Sequence, residues 1–141
     1  MTEPPTDGVL AQLSVLVVED EPFTRMVITR VIEGLGCAAV YQADDGGAGI
    51  TILQNHAVDV IICDINMKPM TGIDLLRWLR TNSDPRKHGL PLIFLTAHPD
   101  PADITTANTF GYTAFLTKPI QPDLMRDALR RLCGPVVWEK V

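Results

Sequence analysis

Five short apolar runs, each closing on polar residues, constrain this chain more than any other feature: "LSVLVVED", "CAAVYQA", "VDVIICD", "LPLIFLTA" and "TAFLTKP". In the third, Val60, Ile61, Ile62 and Cys63 offer no polar face, the pattern of a strand buried on both sides. Helical patterns separate the runs. Pro22 suits a first turn, Val27, Val31 and Leu35 recur at helical spacing, and Gly36 can close the helix. A weaker, glycine-containing helix is predicted from Gly46 to Asn55. Thr71 with Asp74 makes a capping-box pattern ahead of Ile73, Leu76, Leu79 and Arg80. "PADITTANTFG" supplies a fourth helix, and Pro122 opens a fifth through Leu124, Ala128, Leu129 and Leu132. "SDPRKHG", with Arg86, Lys87 and His88, reads as a solvated loop. Five buried strands alternating with five helices give an α/β fold, a doubly wound five-stranded parallel sheet.

One such sheet accounts for nearly the whole chain. Its 141 residues are 46% hydrophobic and 21% charged, a single globular domain's balance. The domain is expected over residues 13–133, after a flexible tail over 1–12 and before a C-terminal tail over 134–141. A net charge of −5 argues against a basic nucleic-acid face. No run approaches the ~20 apolar residues of a membrane span, and the acidic, proline-rich start "MTEPPTDG" lacks the marks of a signal peptide. Cys37, Cys63 and Cys133 are odd in number and widely spaced, the pattern of packed thiols in a reducing compartment. The expected location is cytoplasmic, with no membrane and no direct nucleic-acid partner.

In open α/β sheets, ligands sit beyond the carboxyl ends of the strands. The residues that close the runs are Glu19 and Asp20, Asp64, Thr96, and Lys118, so all converge on one crevice. A carboxylate ending a wholly apolar strand is costly to bury without compensation, and Asp64 needs a reason to be there. The family likeness that these same residues carry implies one, phosphoryl transfer. A carboxylate that attacks a phosphoryl group meets a second anion, so catalysis is mainly positioning and charge neutralisation. Mg²⁺ prefers oxygen ligands and would compensate the three neighbouring acids. Lys118 would offer a point cation where further negative charge arrives.

Through "VVEDEP", "CDINM" with Gly72 eight residues past Asp64, "LTAH" and "FLTKP", the chain resembles the receiver domains of two-component response regulators. The likeness spans roughly residues 13–133 and is nearest the stand-alone chemotaxis type. It implies a flavodoxin-like (βα)5 fold with strand order 2-1-3-4-5. It also implies that Asp64 is the phosphoacceptor, charged by a sensor histidine kinase or a phosphotransfer protein. Asp20 and Asp64 would then ligate Mg²⁺ directly, Glu19 through water, and the Asn66 backbone carbonyl would complete the protein ligands. Thr96 would bond a phosphoryl oxygen, Lys118 would pair with it, and Thr96 and Phe115 would form the switch. The Lys118–Pro119 bond is expected to be cis. Such a protein is a signalling switch rather than an enzyme, a monomer or a phosphorylation-dependent dimer, and it passes its signal to an unknown downstream protein. Where many receivers have Pro four residues after the phosphoacceptor, this chain has Lys68, with Pro69 next, so the loop is altered.

Other readings compete. A haloacid-dehalogenase-type phosphatase uses a similar residue set, but with its nucleophile on the first strand in a DxD pattern; here the matching position is Asn66. A receiver fold kept only as a binding scaffold would be expected to lack a site residue. Thr96 could merely cap the next segment, Phe115 could be a plain core aromatic, and His56, His88 and His98 read as loop residues. Trp78 is expected to pack half-buried on its helix. A start Met and an added tail, "GPVVWEKV", are expected of a complete protein, although an excised receiver would look the same. Within "ITTANTFG", the β-branched and polar residues predict a helix that starts well and frays in its C-terminal half, residues 104–111.

Overall fold

The computed structural model describes residues 8–111 and 113–133. Five strands form one parallel sheet: β1 (Ser14–Val18), β2 (Ala39–Ala43), β3 (Val60–Cys63), β4 (Leu92–Thr96) and β5 (Thr113–Thr117), in the order β2-β1-β3-β4-β5. Six helices connect or follow them: α1 (Pro22–Gly34), α2 (Gly46–Asn55), α3 (Gly72–Arg80), α4 (Pro85–His88), α5 (Pro101–Phe110) and α6 (Pro122–Cys133). This is the doubly wound, flavodoxin-like arrangement that the alternating pattern and the resemblance imply.

Strand side chains alternate between two cores. Val15 and Val17 of β1 face α1 and α6 with Ile28, Ile32, Met125 and Leu129. Leu16 and Val18 face α2, α3 and α5 with Leu53, Leu76, Leu79 and Ala107. Central strands β1, β3 and β4 are covered on both faces, which is why they read as unbroken apolar runs. The edge strands β2 and β5 are only partly buried, so the expectation of five buried strands holds for three.

Other expectations shift by small amounts. The chain is ordered before residue 13: Leu10 opens a short 3-10 turn, Leu10–Gln12, and is buried in the α1/α6 core, so the flexible tail does not reach residue 12. In α1 the buried stripe is Ile28 and Ile32; Val27, Val31 and Leu35 flank it half-buried, one position from the expected phase. Gly36 closes the helix with a φ of +88°, a conformation that favours glycine. The "SDPRKHG" loop contains the single turn α4, started by the Asp84 carboxylate accepting from the Arg86 N–H. In α6, Leu124 is exposed and Met125 takes the core position. Residues 1–7 and the tail over 134–141 lie outside the described residues.

Candidate functional site

The parallel register brings the polar strand ends to one rim. The Asp64 N–H donates to the Val18 carbonyl at 3.2 Å, the Glu19 N–H to the Ala43 carbonyl at 3.0 Å, and the Lys118 N–H to the Thr96 carbonyl at 2.8 Å. Each bond continues the ladder one residue past the end of its strand, so the side chains that follow meet over the sheet's edge.

There, carboxylate oxygens of Glu19, Asp20 and Asp64 lie within 4.8 Å of one another. The Lys118 ammonium donates to Asp64 Oδ2 at 3.0 Å and to Glu19 Oε1 at 2.5 Å. Backbone N–H groups hold the remaining oxygens: Glu21 donates to Glu19 Oε2 at 3.2 Å, and Asn66 to Asp64 Oδ1 at 3.3 Å. Glu19 is 1% exposed and Asp64 9%, whereas Asp20 faces solvent. Burial raises the Glu19 carboxyl above its ordinary range, and the Lys118 hydrogen bond only partly offsets this. Burial by itself would lower the Lys118 ammonium, but its bonds to Glu19 and Asp64 outweigh that and hold it above its ordinary value. Three carboxylates against one ammonium leave two negative charges in excess.

Thr96 is 0% exposed and its Oγ1 has no hydrogen-bond partner, so it is not capping the next segment. It ends β4 on the rim that the acids share, with its hydroxyl buried and unmatched. The donor set fits a small divalent cation: hard oxygens, a compact cluster, a two-charge excess and one carboxylate open to water. Mg²⁺ bound there would neutralise charge and orient a phosphoryl group.

Phe115 is half-buried and its ring stacks on Phe94, with centroids 5.1 Å apart and planes 27° apart. Lys118–Pro119 is cis, as expected, and so is Lys68–Pro69 in the altered loop. Asn66 is exposed in the loop after β3. His98 is exposed just past Thr96, and His56 and His88 are exposed at helix ends. Trp78 packs half-buried against the α2/α3 core. None of the three thiols is in a disulfide. Burial pushes the Cys63 thiol up, reinforced by the charges of Asp64 and Glu19, and pushes Cys133 up to about 11, so both are packing groups rather than nucleophiles.

The structure adds a residue to the site whose spacing alone carried no physical reason. A Cβ on Gly72 would lie 2.4 Å from the Asp64 carbonyl oxygen and 2.9 Å from both the Ile65 Cα and the Phe94 ring. Helix α3 therefore starts directly against the backbone of Asp64, and the Gly72 N–H donates to the Ile65 carbonyl at 2.9 Å. Only glycine permits that approach.

Comparison with known proteins gives the class to which a doubly wound sheet with this rim belongs. Residues 15–130 match the family described as the response regulator receiver domain. The chain is 30% identical over 120 residues to the chemotaxis protein CheY of Pseudomonas aeruginosa, covering 85% of this chain and 95% of that protein. It is 31% identical to chemotaxis protein CheY1 of Helicobacter pylori, over 86% of this chain and 98% of that one. Among solved structures, CheY4 of Vibrio cholerae superposes with a TM-score of 0.78 at 30% identity, over 86% of this chain and 99% of the other. The receiver domain of a sensor histidine kinase from Pseudomonas aeruginosa, with magnesium coordinated in its active-site cleft, superposes with a TM-score of 0.77 at 26% identity, over 89% of this chain and 100% of the other. The chain belongs to the response-regulator receiver domains, the signalling modules of two-component systems. Receiver domains act in phosphoacceptor signalling, bind Mg²⁺ at an acidic pocket, and work with histidine kinases or phosphotransfer proteins. No helix among the described residues is long and apolar enough to cross a membrane.

Proposed function

We propose that Asp64 is the phosphoacceptor of a Mg²⁺-dependent switch charged by a phosphohistidine on a kinase or phosphotransfer protein. The observation that carries this reading is the buried, partnerless Thr96 hydroxyl beside a carboxylate cluster that Lys118 bridges. An Asp64 oxygen attacks phosphorus and the bond to the donor nitrogen breaks. The electron pair leaves with the imidazole, and Asp64 becomes an acyl phosphate. Asp20 and Asp64, with Glu19 through water and the Asn66 carbonyl, would hold Mg²⁺, which would supply charge neutralisation and alignment. Thr96 donates to one phosphoryl oxygen. Lys118, already on Asp64, pairs with the added charge and exchanges its carboxylate partner for the phosphoryl group.

A protein donor suits the surroundings. An apolar recess lined by Phe23, Val27, Leu95, Pro119 and Ile120 opens beside Lys118, and Phe23 is 66% exposed at its edge. An exposed apolar rim next to a charged site is what a docking protein covers. The signal leaves by protein contact through the face of α5, β5 and α6, where Phe115 lies.

Intact mass after exposure to acetyl phosphate tests the reading. One phosphoryl adduct is expected with Mg²⁺, none with EDTA, and none in Asp64→Ala. Equal labelling of Asp64→Ala would remove Asp64 from the role.

A further inference from the structure

Arg80, the last residue of α3, is only 8% exposed, and its guanidinium is spent on backbone carbonyls from two other segments. Nε donates to the Phe110 carbonyl at 3.1 Å, Nη2 to the Gly111 carbonyl at 3.0 Å, and Nη1 to the His88 carbonyl at 3.0 Å. Phe110 and Gly111 are the C-terminal end of α5. Helix ends leave carbonyls without intrahelical donors, and that end favours a cation. Helix α5 has no basic residue in its own last turn, so the cation comes from α3. Only Ala107 of α5 is buried, and Gly111 turns the chain toward β5 with a φ of +70°. The other end of α5 follows Thr96 by a short loop and is held by the Asp100 cap on the Ala102 N–H.

We propose that Arg80 is a positioning residue for the phosphorylation response: it fastens the C-terminal end of α5 to α3, leaving the end next to Thr96 to move. Helix α3 then touches the switch at two points. At its start, Gly72 lies against the Asp64 carbonyl and the Phe94 ring, on which Phe115 stacks. At its end, Arg80 holds the turn from which β5 departs. A change at Asp64 is thereby confined to the loop after β4 and the first turns of α5, instead of melting the whole helix. The movement rests on the phosphoacceptor reading of Asp64; the fastening does not.

Amide hydrogen exchange read by mass spectrometry on the full chain tests both halves, in wild type, Arg80→Met and Arg80→Lys, with and without beryllofluoride and Mg²⁺. Lysine keeps the charge but lacks the fork that serves three carbonyls. Without beryllofluoride, exchange over residues 105–111 should quicken by about tenfold or more in Arg80→Met and by less in Arg80→Lys, as a local opening equilibrium shifts. Exchange in β1 and β3 should stay as in wild type; if Arg80→Met loses that protection, Arg80→Lys decides. With beryllofluoride, wild type should change mainly over residues 97–104 and Arg80→Met over the whole of 97–111. Unchanged exchange over 105–111 in variants whose β1 and β3 stay protected would overturn the fastening. An equal response of both halves of α5 in wild type would overturn the confinement. No response of wild type anywhere would count against Asp64 as phosphoacceptor, and the comparison without beryllofluoride would still judge Arg80.

Discussion

Helices α3 and α5 pack on the same face of the sheet, and they are built in opposite ways. Six of the nine residues of α3 are buried, against Ala107 alone in α5. Helix α3 begins on a reciprocal capping box, with the Thr71 hydroxyl accepting from the Asp74 N–H at 3.1 Å and Asp74 Oδ2 from the Thr71 N–H at 3.0 Å. It ends with Arg77 and Arg80 at the negative pole of its dipole. Helix α5 has the Asp100 cap and little else of its own. Its Thr105, Thr106 and Thr109 hydroxyls donate back to the carbonyls of Pro101, Ala102 and Thr106, bonds that bend and loosen a helix. One helix is stabilised from within, and the other is held by its neighbour. A switch needs one element that keeps its place and one with two states near in energy, and the contrast predicts those roles for α3 and α5.

Truncating one large aliphatic side chain on each helix should expose the contrast most strongly. Leu76→Ala removes a fully buried side chain and should destabilise the domain by about 3 kcal/mol, whereas the half-buried Ile104→Ala should cost about 1 kcal/mol. Urea unfolding of both variants checks this, and equal losses would break the comparison.

A smaller effect is expected at the rim where both helices begin. The Glu19 carboxyl is raised from its ordinary 4.5 by burial, so its contribution to stability is complete below that pH and is lost as pH rises through the raised value. In EDTA at neutral pH, Glu19→Gln should therefore melt above wild type, and the gap should close as pH falls toward 4.5. Lys118 is shifted upward as well, so its charge persists past 10.5 and does not enter that window. Mg²⁺ should narrow the gap by stabilising wild type more than the variant. A melting advantage that is flat with pH would mean that Glu19 carries no strained charge.

The smallest effect belongs to the weak helix itself. Thr105 is exposed, and Thr105→Ala should stabilise the domain by at most about 0.5 kcal/mol through helix propensity alone. Its hydrogen exchange should slow within α5 and not in α3. Slowing in both helices would mean that they open as one unit.

Much of the fold is legible in residues taken in order. The runs at Val15–Val18, Val60–Cys63 and Leu92–Leu95 announce central strands because both of their faces are covered. The Thr71–Asp74 box is a pair of local bonds between near neighbours, and it stands where the spacing put it. Glu19, Asp20, Asp64, Thr96 and Lys118 were brought to one rim by topology alone, since parallel strands end on the same side. The misses are of another kind. The one-position shift to Ile28 and Ile32, the exposure of Leu124, the burial of Leu10 and the single turn α4 depend on which face the rest of the fold offers.

The order of elements, their caps and the chemistry gathered at the strand ends follow from neighbouring residues, because each rests on periodicity or on bonds within a few residues. That no side chain fits at Gly72, that the Thr96 hydroxyl stays unmatched, and that Arg80 holds Phe110 and Gly111 thirty and thirty-one residues away came only with folding. Those facts concern the space and the partners that remain after distant segments have packed. Nothing in the residues on either side of a position records them.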